Sequence, residues 1–219
     1  MAFAILQRMT VHHASDDLAL DPTAVRTDDT TLFRIIATVA CVLFIVISAT
    51  ARVPTYRVNP IFLIPLMWLP YGLRRRINLH PLHYAMFAIA ILFHDLGAYG
   101  FYQRSPFPWS FDIYVHFYFA VPVTFMLFRA IHFKLPQLRR WQVGMTSLLF
   151  MLGIGALHEI MEYLTYLLLG EEKGMLKPST SYFFDTQRDL TNNLLGTLTA
   201  LLLMAAYYAM MRGHNRNGG

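Results

Sequence analysis

Long apolar runs alternate with short polar interruptions along the whole chain after residue 31. Six apolar segments can be marked, at residues 32–51, 60–73, 82–102, 111–131, 143–169 and 189–211. A bilayer core about 30 Å thick takes about 20 apolar residues at 1.5 Å per residue. Segment two is short and carries Pro65 and Pro70, which predicts a kinked or partly re-entrant helix. The expected fold class is all-α, a polytopic membrane helix bundle of about six transmembrane helices. Residues 1–31 are expected to form a polar N-terminal tail, residues 32–211 the six-helix domain, and residues 212–219 a polar C-terminal tail.

Composition strengthens this picture. Of 219 residues, 56% are hydrophobic and only 14% charged, against about 25% charged in soluble domains. The single cysteine, Cys41, excludes an intramolecular disulfide and a thiolate metal cluster. The first residues, Met-Ala-Phe-Ala-Ile-Leu, are too few for a signal-peptide core of roughly 7–15 residues. The net charge of +5 is no sign of nucleic-acid binding, because the basic residues sit in short clusters between apolar runs.

Those clusters orient the bundle. Arg74, Arg75 and Arg76 separate segments two and three, Lys134, Arg139 and Arg140 separate four and five, and Arg212 and Arg216 follow six. With six spans, all three clusters fall on one side together with both termini, which predicts cytoplasmic termini. The other side is less basic but carries Arg52, Arg57, Arg104, Lys173 and Lys177. Tyr102 and Trp109 there fit an interfacial aromatic belt.

Polar residues interrupt four of the segments. Segment three carries His94-Asp95, four carries Asp112 and His116, and five carries His158, Glu159 and Glu162. Segment six is led by Asp185, Arg188 and Asp189, followed by Asn192, Asn193 and Gly196. A charge at the bilayer centre costs at least about 2.5–3.5 kcal/mol on insertion scales, so intramembrane charge marks function by default. Spacings of three and four put these residues on shared helix faces. By helical rise, His158 lies roughly 3 Å beyond the middle of segment five and Glu162 roughly 9 Å, while His116 lies about 6 Å inside Asp112. All four stripes therefore fall in the outer half of the membrane and predict one site.

Carboxylates and imidazoles in a helical bundle are ligands for a divalent ion such as zinc, iron or manganese. Candidate ligands are Asp112, His116, His158, Asp185 and Asp189. Glu159 and Glu162 are candidate catalytic bases, and His94, Asp95 and Asn193 candidate supporting residues. Asn192 and Asn193 suit interhelical hydrogen bonds, and Gly196 suits close helix approach. The alternative is a polar core whose acids and histidines satisfy one another, with Arg188 and Arg104 as countercharges.

At these residues the chain resembles a known group. Asp185-Thr-Gln-Arg-Asp189, followed by an apolar helix with Gly196, resembles a signature of the YjdF-like bacterial inner-membrane proteins. Phe111-Asp112-x-x-x-His116-Phe117 and Glu159-x-x-Glu162-Tyr163 resemble two further helices of that family. The order of the three motifs also resembles the broader VanZ-like membrane proteins, in which the Glu helix more often reads Glu-x-x-Gln. The likeness covers roughly residues 85–205; His158 before Glu159 has no place in it. It implies a multi-pass protein of the bacterial inner (cytoplasmic) membrane and supplies no reaction.

Three functions remain open. The first is a metal-dependent enzyme acting on a lipid or lipid-linked substrate from the outer face, in contact with membrane lipid. The second is a transporter relaying protons or ions, although the two halves show no inverted repeat. The third is a non-catalytic accessory protein with a structural polar core. Neither a substrate nor an oligomeric state follows from the sequence.

Overall fold

In the computed structural model, residues 30–173 and 182–217 are described, without side chains at 169, 171–173, 182–183 and 211–217. The acidic N-terminal stretch and the loop positions Gly174, Lys177 and Pro178 lie outside them, as do the side chains of Lys173, Arg212 and Arg216. Every regular element described is helical: α1 (Thr30–Ala49), α2 (Asn59–Leu73), α3 (Pro81–Asp95), α4 (Phe111–Lys134), α5 (Arg140–Lys173) and α6 (Tyr182–Asn217). One-turn 3-10 helices, Pro54–Val58 and Leu96–Tyr99, precede α2 and follow α3.

Five of these stretches are long and apolar enough to cross a membrane: Thr30–Ala49, Pro81–Tyr99, Phe111–Lys134, Arg140–Leu168 and Phe184–Met210. The second helix is the exception, with 15 residues and both prolines inside it. Its two ends nevertheless lie beside the two ends of α1. Near its start, Ser48 of α1 donates to the Tyr56 carbonyl at 3.0 Å, and Asn59 reaches Asp95 at the end of α3. At its far end, Arg34 of α1 donates to the Tyr71 hydroxyl at 2.9 Å. Both ends of α1 are thus matched by α2. Fifteen helical residues rise about 22 Å, and the adjoining 3-10 turn adds about 10 Å.

Sequence logic is visible at the helix ends. Proline opens α3 at a position where its missing N–H costs nothing, and the His80 ring accepts from the Leu82 amide at 3.1 Å. At its other end α3 tightens into the 3-10 turn and stops at Gly100, whose φ of 89° is left-handed. The helix expected to run to residue 102 therefore ends early, and the chain doubles back. Gly170 kinks α5 near its end, with a positive φ of 76° and an extended ψ of 175°.

Packing follows the small and large apolar positions. Phe33, Ala37, Ala40 and Phe44 form one buried stripe of α1, in a core with Met67, Tyr84, Phe87 and Ile91. The residues between them, such as Ile35, Val39 and Val42, face outward, as a lipid-facing helix requires. Helix α4 packs against α3, α5 and α6. Its contact with α6 is closest at Gly196, where a Cβ would stand 2.3 Å from the Phe117 carbonyl oxygen and 2.9 Å from the Ala120 Cβ. Backbones meet this closely only where one residue has no side chain.

The basic residues that flank the α2–α3 and α4–α5 connections gather at one end. Arg74 stacks on Tyr71, and Arg140 lies 4.0 Å over the Tyr208 ring of α6. Fully buried Arg129 donates to the Asn78 carbonyl between α2 and α3. The start of α1 shares this end, since Arg74 reaches the Thr30 hydroxyl.

Two outcomes are expected. Gly196→Ala should lower the thermal stability of detergent-purified protein by about 1–3 kcal/mol. Gly72→Ala, with open space around it, should leave stability unchanged or raise it by up to about 1 kcal/mol. In a Cys41→Ser background, Arg57→Cys and Arg75→Cys, on either side of α2, should react with an impermeant thiol reagent from opposite membrane faces; labelling of both from one face would refute the six-crossing topology.

Candidate functional site

The opposite end of the bundle holds the acids. On α4, Phe111 is fully buried under the rings of Phe93, Phe101 and Tyr102, at centroid distances of 4.8, 5.5 and 5.1 Å. This anchors the first turn and sets Asp112 just inside the bundle, with His116 one turn deeper. Because α6 begins at Tyr182, Asp185, Arg188 and Asp189 lie on its helical face, four or fewer residues apart.

Arg188 draws the aspartates together. Its guanidinium donates to Asp112 Oδ2 at 2.7 Å, to Asp185 Oδ1, and through Nε to Asp189 Oδ1 at 3.2 Å. The second oxygens of Asp112 and Asp189 then point at His116, whose Nε2 stands 3.4 Å from Asp112 Oδ1 and 3.7 Å from Asp189 Oδ2. These are longer than good hydrogen bonds of 2.7–3.2 Å. They suit donor atoms arranged about an ion: ligands about 2.1 Å from a tetrahedral ion stand roughly 3.4 Å apart. Asp112, His116 and Asp189 each offer one ligand atom, all within 4.8 Å of one another. Asp189 is 1% exposed.

Helix α5 supplies the third wall. His158 Nε2 lies 3.2 Å from Glu162 Oε1, and the His158 ring is 5.7 Å from that of His116. Between them in sequence, Glu159 is 5% exposed, with the Thr186 side chain of α6 as its neighbour and no hydrogen bond of good geometry to either carboxylate oxygen among the described residues. The cluster thus sets five carboxylates (Asp112, Glu159, Glu162, Asp185 and Asp189) against one guanidinium. In low dielectric such an excess must be offset by bound protons or cations.

The supporting residues divide. His94 closes the α3 side, its Nδ1 2.6 Å from the Tyr102 hydroxyl. Asp95 is buried but turned away, accepting from Asn59 of α2 at 2.8 Å. Asn193 lies one turn below Asp189 and packs against Gly155, where a Cβ would be 2.7 Å from its Nδ2. The expected helix-bridging hydrogen bonds are not found among the described residues: Asn192 donates to the Arg188 carbonyl within α6, and Asn193 Oδ1 has no partner there. Close α5–α6 contact at Gly155 leaves room for the amide but offers it no donor. Arg104 is exposed and is no countercharge to the cluster among the described contacts.

Tyr102 also departs from its expected place in an aromatic belt, whereas Trp109 is 66% exposed. The left-handed turn at Gly100 swings Tyr102 inward over Gly97, where any Cβ would lie 2.2 Å from its ring and 2.6 Å from the Tyr56 hydroxyl. Burial and the nearby Asp112 carboxylate push the Tyr102 phenol well above its ordinary range, so it stays protonated as a partner for His94. Nothing in the local sequence announces this role, because it depends on the reversal at Gly100.

No curated protein and no solved structure matches the chain. The YjdF-like proteins fall within the family that does match, while kinship with VanZ-like proteins is not shown. The match covers residues 24–210, including all six helices of the bundle up to the last turns of α6, and the chain belongs to the family described as Predicted membrane protein (DUF2238).

Proposed function

We propose that this protein is a membrane-embedded enzyme built on a divalent-cation centre, with Asp112, His116 and Asp189 as ligands. The observation that carries this reading is the spacing at His116 Nε2, which is longer than a good hydrogen bond to either aspartate and suited to shared ligation. Arg188 orients the two aspartates, as outer partners of metal ligands commonly do. One nitrogen and two carboxylate oxygens favour zinc, iron or manganese. Bound there, the ion would supply Lewis acidity toward an ester or phosphoryl oxygen. Glu159, buried with no hydrogen bond of good geometry among the described residues, is the group to ligate further or to take a proton from an attacking water.

A lipid or lipid-linked substrate suits the setting. The half-exposed His158 and Arg188 form the rim of the cluster, and Phe107 and Trp109 offer apolar surface at the same end. By the positive-inside bias the site faces away from the cytoplasm, in the inner membrane of a bacterium. A transport path fits less well, because the α4–α6 contact is closed at Gly196 below the cluster.

One observation favours a second reading. All three aspartates already bond Arg188, as they would in the structural polar core of an accessory protein. Purified protein should carry stoichiometric divalent metal, and Asp189→Asn should weaken its binding at least tenfold, or about 1.4 kcal/mol, while the helical bundle persists by circular dichroism. Metal-free wild type, together with an Asp189→Asn variant that unfolds, would establish the structural core instead.

A further inference from the structure

We infer that the centre holds two divalent ions, the second on α5 at His158 and Glu162, with Glu159 between the two positions as a shared ligand. This rests on the cation-centre reading and extends it. Three observations point the same way. His158 Nε2 and Glu162 Oε1, an i,i+4 pair 3.2 Å apart on one helix face, present two ligand atoms side by side. Their side chains are accessible, 38% and 16% exposed, and the His158 ring stands 5.7 Å from that of His116. Glu159, next to His158 and one turn before Glu162, is deeply buried with no hydrogen bond of good geometry to either oxygen among the described residues. A buried carboxylate that no donor satisfies is costly unless it is neutralised.

Carboxylates outnumber the single guanidinium among the described residues of the cluster, an excess that bound cations would offset. Helical bundles hold paired ions in this manner, with carboxylates bridging between helices. Paired ions at such a site would clamp the attacking and leaving oxygens of an in-line displacement, which suits a phosphate ester as the substrate class.

Manganese is the probe. Full-length protein in detergent should bind two Mn²⁺ per chain by equilibrium dialysis and show the exchange-coupled electron paramagnetic resonance signal of a close pair. Glu162→Gln and His158→Asn should each bind one, with the isolated six-line spectrum. One uncoupled ion in the wild type would overturn the pair and leave the single-ion centre standing. No bound ion would overturn both. Two ions that persist in both α5 variants would refute the placement on α5. Should a variant fail to fold, the wild-type stoichiometry and coupling still decide the question.

Discussion

Arg188 holds three aspartates from two helices at one point, and the acidic end of the bundle depends on that convergence. A carboxylate in a hydrocarbon layer is tolerated only when its charge is met. The guanidinium meets it geometrically as well as electrically, since its fork engages one oxygen of each aspartate and leaves the other free. The free oxygens of Asp112 and Asp189 then have one direction to face, toward His116. A lysine could supply the charge without that orientation.

This arrangement is possible because α4 and α6 approach so closely. Gly196 against Phe117 and Ala120 draws the two backbones together, and Asp189, two turns from Gly196, is carried to within reach of Asp112 and His116. The third helix contributes through Gly155, which receives Asn193 and aligns Glu159 with Asp189 one turn nearer the acidic end. Small residues deep in the bundle thus set distances among charged residues near its end. The aromatic cluster around Phe111 fixes the remaining coordinate by holding the first turn of α4 in place.

Much of this was legible in the sequence. Apolar run length revealed the helices, because backbone hydrogen bonding in lipid leaves little alternative to them. Spacings of three and four placed Asp112 with His116 and Asp185 with Asp189 on common faces, since helical geometry is local. Gly196 was readable as a contact point for the same reason. The short second segment reads from its length as a kinked or partly re-entrant helix; it folds as a 15-residue helix that the 3-10 turn at Pro54–Val58 lengthens.

What the sequence determined by itself was the set of helices, their alternation of direction and the end at which the acids lie, all consequences of hydropathy and of rise per residue. Tertiary structure decided the partnerships. It turned Asp95 toward Asn59 and out of the cluster, and it brought Tyr102 in from the expected membrane surface to His94 by way of the left-handed turn at Gly100. It left Glu159 buried without a hydrogen bond of good geometry among the described residues. These outcomes rest on helix rotation and on contacts between residues far apart in the chain, such as Arg188 with Asp112, 76 positions away, and no local pattern encodes them.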